Sequence, residues 1–312
     1  MRQFRGTLVG VYASLAVVAS SWAAEPEAPR RQLGPHLFIP RVAIDDPFTT
    51  TTVGSETGFG YATAEGPTFD LNGNPVTLAD YKIIAYSQAF SGQWGIFDWW
   101  ALRVRATGLV YSGANGSAAA GVGLNGVVRA GAGTTFAIRP LPTLQLGLLF
   151  DVSVGPSVGL DILQAIRSSI AEDSVQAPVV STNSTTLTPA LSAAWTITRG
   201  LGFVANVSYT HNSVSADAAS VGTDTLALGG GLDLDLRELG TIPLGLTLSY
   251  QAGYSIGDER FRRYRLAGGF FYTRRENLTL GLELAYTRAP LGAHDVFIST
   301  LLAVIVLRYN FD

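Results

Sequence analysis

The feature that most constrains this chain is a two-residue alternation of leucine with polar or small residues, sustained over whole segments. Leu278, Leu280, Leu282, Leu284 and Tyr286 alternate with Thr279, Gly281, Glu283, Ala285 and Thr287. Leu144, Leu146, Leu148, Phe150, Val152 and Val154 repeat the pattern around Gln145, Gly147, Asp151 and Ser153, and Leu149 alone breaks it. From Leu226 to Leu236 it recurs, with Asp233, Asp235 and Arg237 on the other face. A helix would scatter these charges among the leucines. A strand sends successive side chains to opposite faces and segregates them.

Strands with one apolar face need somewhere to put it. The chain is 47% hydrophobic and only 14% charged, with 35 glycines, yet no apolar stretch after the first two dozen residues is long enough for a spanning helix. Closing the sheet satisfies every backbone N–H and C=O without water, which makes a lipid-facing barrel the economical solution. The expected fold is all-β, a transmembrane antiparallel up-and-down β-barrel with about twelve strands. The strands are expected near 49–63, 79–91, 98–112, 123–138, 143–155, 185–198, 201–212, 223–237, 243–255, 262–275, 277–289 and 295–311. Twelve is an even number, as bacterial single-chain barrels require. The first two are the least regular, because Tyr81 to Phe90 is apolar on both faces.

Connection lengths sort in the same way. The turns near 92–97, 139–142, 199–200, 238–242 and 276 are short and fall on one side, the periplasmic side of such a barrel. Those near 64–78, 113–122, 156–184, 213–222, 256–261 and 290–294 are mostly longer and fall outside. In the longest, Leu160, Ile162, Leu163, Ile166 and Ile170 recur at helical spacing, so one short amphipathic helix is expected there, capping the rim or folding inward.

The N-terminus reads as an export signal. Arg2 and Arg5 precede an apolar run from Leu8 to Ala19, and Ser21-Trp22-Ala23 offers a cleavage site. The expected organisation is a signal peptide at 1–23, a periplasmic lead-in at 24–48 and a barrel at 49–312. His36 to Ile44 reads equally as an inserted segment, and the sequence leaves both open. With no cysteine, neither disulfides nor a thiolate metal site can be built; no metal and no cofactor is expected. A formal net charge of −3, more negative without Arg2 and Arg5, excludes a nucleic-acid partner, which needs a basic face.

Two stretches carry resemblances. Leu301, Ala303, Ile305, Leu307, Tyr309 and Phe311 alternate around Arg308 and Asn310, similar to the C-terminal assembly signal of outer-membrane proteins, although Asp312 follows the terminal aromatic. The resemblance implies recognition by the barrel assembly machinery. Gly95-Ile96-Phe97-Asp98-Trp99-Trp100-Ala101-Leu102-Arg103 resembles a hairpin of the phenol-degradation-pathway outer-membrane family. That implies a transporter-like barrel of the Gram-negative outer membrane and carries over no functional residue.

If the large apolar residues face lipid, then Glu56, Arg103, Arg105, Arg129, Asp151, Asp233, Asp235, Arg237, Arg265, Glu283 and Arg308 face inward, because a cationic side chain at the lipid midplane costs about 2–4 kcal/mol. They are the candidate lumen and selectivity residues. Arg103, Arg105 and Arg129 form a basic ladder that Asp233 and Asp235 can face across the lumen. The alternative role is a neutralising network that stiffens a closed barrel. Trp94, Trp99, Trp100, Tyr272, Tyr286, Tyr309 and Phe311 suit an interfacial girdle. Arg262 and Arg263 are candidates for lipopolysaccharide phosphate.

The function expected is therefore passive passage of small solutes, not catalysis, with a closed surface barrel as the alternative. An outer-membrane lipid hydrolase using His211 stands third, since His211, Asn212 and Ser213 are neighbours that point to opposite faces. Gly121 to Gly126 matches a dinucleotide fingerprint without its strand-to-helix context, and Asp70 to Asn74 lacks the later ligands of a calcium loop.

Overall fold

The computed structural model describes residues 31–42, 44–69, 75–115, 124–160, 179–216, 219–240, 242–257, 262–275, 277–290 and 297–311. The signal peptide, nearly all of the loop helix expected near 160–170, Asp70 to Asn74 and the first half of Gly121 to Gly126 lie outside these residues; Leu124 to Gly126 are strand.

A two-stranded hairpin, β1 (Gln32–Leu33) and β2 (His36–Leu37), precedes the barrel. The barrel strands are β3 (Thr51–Phe69), β4 (Pro75–Phe97), β5 (Trp100–Gly113), β6 (Leu124–Leu141), β7 (Leu144–Leu160), β8 (Val179–Thr198), β9 (Leu201–Ala216), β10 (Ala219–Asp235), β11 (Leu244–Ile256), β12 (Arg262–Tyr272), β13 (Leu278–Pro290) and β14 (Phe297–Phe311). Each pairs antiparallel with its sequence neighbour, and β14 closes on β3 from Phe311 opposite Thr51 to Ile298 opposite Ala64. These are the twelve strands the alternation predicts.

The alternation survives intact as inside and outside. Leu280, Leu282 and Leu284 are exposed on the outer wall while Thr279, Glu283 and Ala285 between them are buried. Leu146, Leu148, Phe150, Val152 and Val154 continue that outer belt on β7, and Leu301, Ile305 and Leu307 on β14. Leu149, the residue out of pattern, is fully buried on the inner face. Closure leaves no sheet edge, so an apolar outer surface costs nothing in unpaired backbone. Near the β4–β5 turn, Phe97, Trp99, Trp100 and Phe136 stack in a cluster with centroid spacings of 5.5 to 6.4 Å. Aromatic rings of this kind anchor a barrel at a membrane interface.

Several expectations about connections change: β4 runs to Phe97 and β5 starts at Trp100, so the turn expected near 92–97 lies at 98–99, and the connection expected at 156–184 is strand up to Leu160 and from Val179. The segments near 64–78 and 213–222 are largely strand, because β3 and β4 run to Phe69 and from Pro75, and β9 and β10 to Ala216 and from Ala219. Beyond the apolar belt both faces of a strand meet polar surroundings. The alternation fades there while the hydrogen-bond ladder continues. Residues 236–239 form one helical turn, α1 (Leu236–Leu239), capped by the Asp235 carboxylate, which accepts from the Arg237 N–H at 3.0 Å.

Candidate functional site

The largest departure from a simple barrel is what fills it. Residues 31–50 touch every strand from β4 to β14. Gln93 on β4 donates to the Phe48 carbonyl at 2.9 Å, Asp45 lies 3.7 Å from Arg103 on β5, and Arg139 on β6 donates to the Gln32 carbonyl at 3.3 Å. Gln145 on β7 donates to Pro47 at 2.8 Å, and Thr196 on β8 to Leu33 at 2.6 Å. Leu33, Phe38, Ile44 and Phe48 pack with Ala194 and Val204 of β8 and β9. Ile39 packs with Phe271, Val304 and Val306 of β12 and β14 and reaches Gly245 on β11. A segment that meets the inner faces of a closed ring of strands lies inside it. Of the two readings open for His36 to Ile44, an inserted segment describes where these residues run.

The wall makes room for this plug with glycine. A Cβ on Gly147 would stand 2.7 Å from Pro47, and one on Gly202 would stand 2.5 Å from the His36 ring and 2.7 Å from Phe38. Both distances are well inside van der Waals contact, so side chains at these positions would exclude the plug.

The inward charges of the turn end hold the plug. Asp233, fully buried, accepts from the Ile39 N–H at 3.3 Å and pairs with Arg41 at 2.8 Å. Glu283 accepts from the Val42 N–H at 3.3 Å and from Arg265 at 3.2 Å. Asp235 accepts from the Thr273 hydroxyl at 3.2 Å and lies 3.6 Å from Arg237. Arg237 sits on α1, not on a strand, so its place is the turn end of the barrel. Asp233 and Asp235 therefore do not stand free across the lumen from the arginines; the plug and the turn occupy them.

The basic ladder exists as a row. Arg103 and Arg105 are on β5 opposite Gly133 and Gly131 of β6, and Arg129 is opposite Thr107 one inward position higher. A Cβ on Gly133 would collide with Asp151, its partner on β7. Glycine there lets Asp151 and Arg103 meet across the intervening strand, where they form an ion pair. Arg105, with half its side chain exposed, pairs with Glu56 at 3.0 Å, and Arg308 approaches the same carboxylate at 3.7 Å. Arg129 is exposed and has no ion pair among the described residues. Above the plug Glu56, Arg103, Arg105, Asp151 and Arg308 line a cavity of about 300 Å³ with Arg31, Arg41, Asp45 and Asp46 among its walls; Arg129 is not part of that lining. The sequence left an inserted segment open for His36 to Ile44 but singled out none of its residues as a lumen group. The only signal was the density of apolar and charged side chains in Leu33 to Phe48.

At the loop end the outer wall carries polar groups as well. Arg262 and Arg288 share its outward face, with Arg288 4.5 Å from the Phe297 ring centre, while Arg263 has the opposite parity and turns inward. His211 and Tyr209 of β9 both meet Asp224 of β10 at 2.7 Å.

No family model matches the chain, and no curated protein matches it. Solved structures do. The translocator domain of autotransporter NalP from Neisseria meningitidis superposes with a TM-score of 0.55 at 10% identity, covering 85% of this chain and 90% of that one. The NanC porin gives 0.48 at 11% identity over 82% and 100%. A Pseudomonas aeruginosa FadL homologue gives 0.45 at 11% over 91% and 96%. The closed ring of twelve antiparallel strands, its apolar outer belt and the likeness to the first of these define the class: the chain is a membrane-type β-barrel with the fold of outer-membrane barrels.

Proposed function

We propose that this barrel passes small polar solutes across the outer membrane, along a charged lumen that its own residues 31–50 narrow at the turn end. The observation that carries this is the cavity of about 300 Å³ above the plug, lined by Arg103, Arg105, Arg308, Glu56 and Asp151. The lining charges are paired with one another, yet they border open volume that a fully packed barrel would have filled. In this reading the upper charges select solutes by charge and size, while Asp233 and Glu283 hold the plug. Of the two arginines, Arg262, on the outward face, is the candidate for lipopolysaccharide phosphate in this reading, since Arg263 has the inward parity. The strand ending at Phe311 would meet the assembly machinery.

A second reading, a closed barrel without a pore, is favoured by how completely Phe38, Ile39 and Phe48 are buried. Planar-bilayer conductance of the refolded protein and of a variant lacking residues 31–48 separates the two. Passage predicts small conductance in the intact protein and a several-fold rise in the deletion variant. Silence in both leaves only the closed barrel.

A further inference from the structure

The outer wall at the loop end holds an arrangement that solute passage does not use. His211 and Ser213 are two residues apart on β9 and so share one face, the same outward face as Val207 and Tyr209. Asp224 stands directly opposite His211 on β10, in the outward row of Leu226 and Leu228. Its Oδ1 lies 2.7 Å from His211 Nδ1 and accepts a second hydrogen bond from the Tyr209 hydroxyl, also at 2.7 Å. The carboxylate is thereby fixed, and it orients the imidazole with Nδ1 toward Asp224 and Nε2 turned away from it.

The ring has room to lean toward the serine. Gly222 is the residue opposite Ser213, and a Cβ built there would lie 3.5 Å from His211 Cε1, the carbon between the two ring nitrogens. The imidazole therefore extends from the His211–Asp224 row into the row of Ser213, over a position with no side chain. Ser213 Oγ also lies 3.2 Å from Ser220 Oγ. The third member of the arrangement comes from the neighbouring strand and not from Asn212, which points inward.

We propose that Ser213, His211 and Asp224 form a nucleophile, base and orienting group that hydrolyse an acyl ester of a lipid in the surrounding leaflet. Ser213 and His211 are the catalytic residues, and Asp224 is a positioning residue. The site lies on the lipid side, just beyond the last outward apolar residues Tyr209 and Leu226, which is the depth of lipid ester groups at a membrane interface. Ser213 Oγ attacks the ester carbonyl carbon as His211 Nε2 takes its proton. The tetrahedral adduct collapses, the C–O bond to the lipid alcohol breaks, and His211 returns the proton to that oxygen. Water, deprotonated by His211, then attacks the acyl carbon of the acyl-serine; the C–Oγ bond breaks, His211 returns the proton to Ser213 Oγ, and the fatty acid leaves.

The test uses the refolded full barrel, with heat-modifiable gel migration confirming that each variant is folded. A fluorophosphonate probe should label Ser213, located by peptide mass spectrometry, and labelling should disappear in Ser213→Ala but persist in Ser220→Ala. Fatty-acid release is measured from phosphatidylethanolamine vesicles and, separately, from lipopolysaccharide micelles, which tells the two ester sources apart. Release from either should fall about a hundredfold or more in His211→Ala. Asp224→Asn should lower kcat with KM unchanged, and Asp224→Glu should recover part of it. Absence of labelling together with absence of release from both lipids, or labelling at Ser220 alone, overturns the proposal.

Discussion

At the scale of single residues, the charges inside this barrel divide by what they face. Asp233 is the clearest case. It is fully buried, and its partners are the Arg41 guanidinium and the Ile39 N–H, both from the plug. Removing one partner of a buried pair leaves the other charge without compensation, at a cost of roughly 3–5 kcal/mol. Asp233→Ala should therefore release the plug while the barrel persists, and limited proteolysis should cut residues 31–48 far faster than in the parent protein. Arg105 sits at the other extreme, half exposed and paired through one nitrogen, so neutralising it should leave stability almost untouched. The inward side of these residues was readable from the alternation alone. Their partners were not, because nothing in a two-residue period says which strand or inserted segment a side chain will meet.

At the scale of elements, the plug is docked by geometry at its base. The β1–β2 hairpin places His36 against β9, fully buried, with Nδ1 3.0 Å from the Arg199 carbonyl oxygen. Burial lowers the imidazole below its ordinary value, while the Arg199 hydrogen bond and the charge of Asp235 pull the other way, Arg41 lowers it and Glu238 raises it. The docked state thus binds a proton less readily than the released one. Docking is fully supported above about pH 6.5 and weakens as pH falls below it. Protease susceptibility of residues 31–48 should rise between about pH 7 and pH 5, and His36→Gln should flatten that rise. The hairpin itself escaped the sequence reading because two-residue strands leave no period to detect.

At the scale of the whole molecule, the lipid-facing belt is what commits the chain to a membrane. Leu282 lies near the middle of β13 and faces outward, so Leu282→Arg should cost about 2–4 kcal/mol, measured by denaturant titration in lipid vesicles. The strand number, their order and the face of most strand residues were legible, since strand pleat and side-chain direction are local properties that repeat every two residues; Arg237, expected on a strand face, lies on α1 instead. The elongated hairpins at 64–78 and 213–222 were hidden, since a strand without a lipid face has no hydrophobic rhythm. The candidate site was legible only as a set of inward charges. The sequence by itself determined the barrel and the two faces of its wall. Tertiary structure alone decided that Ile39 meets Asp233, 194 residues away, that Val42 meets Glu283 across 241, and that Asp224 completes a row with His211. Such contacts follow from register and closure, which depend on all twelve strands together.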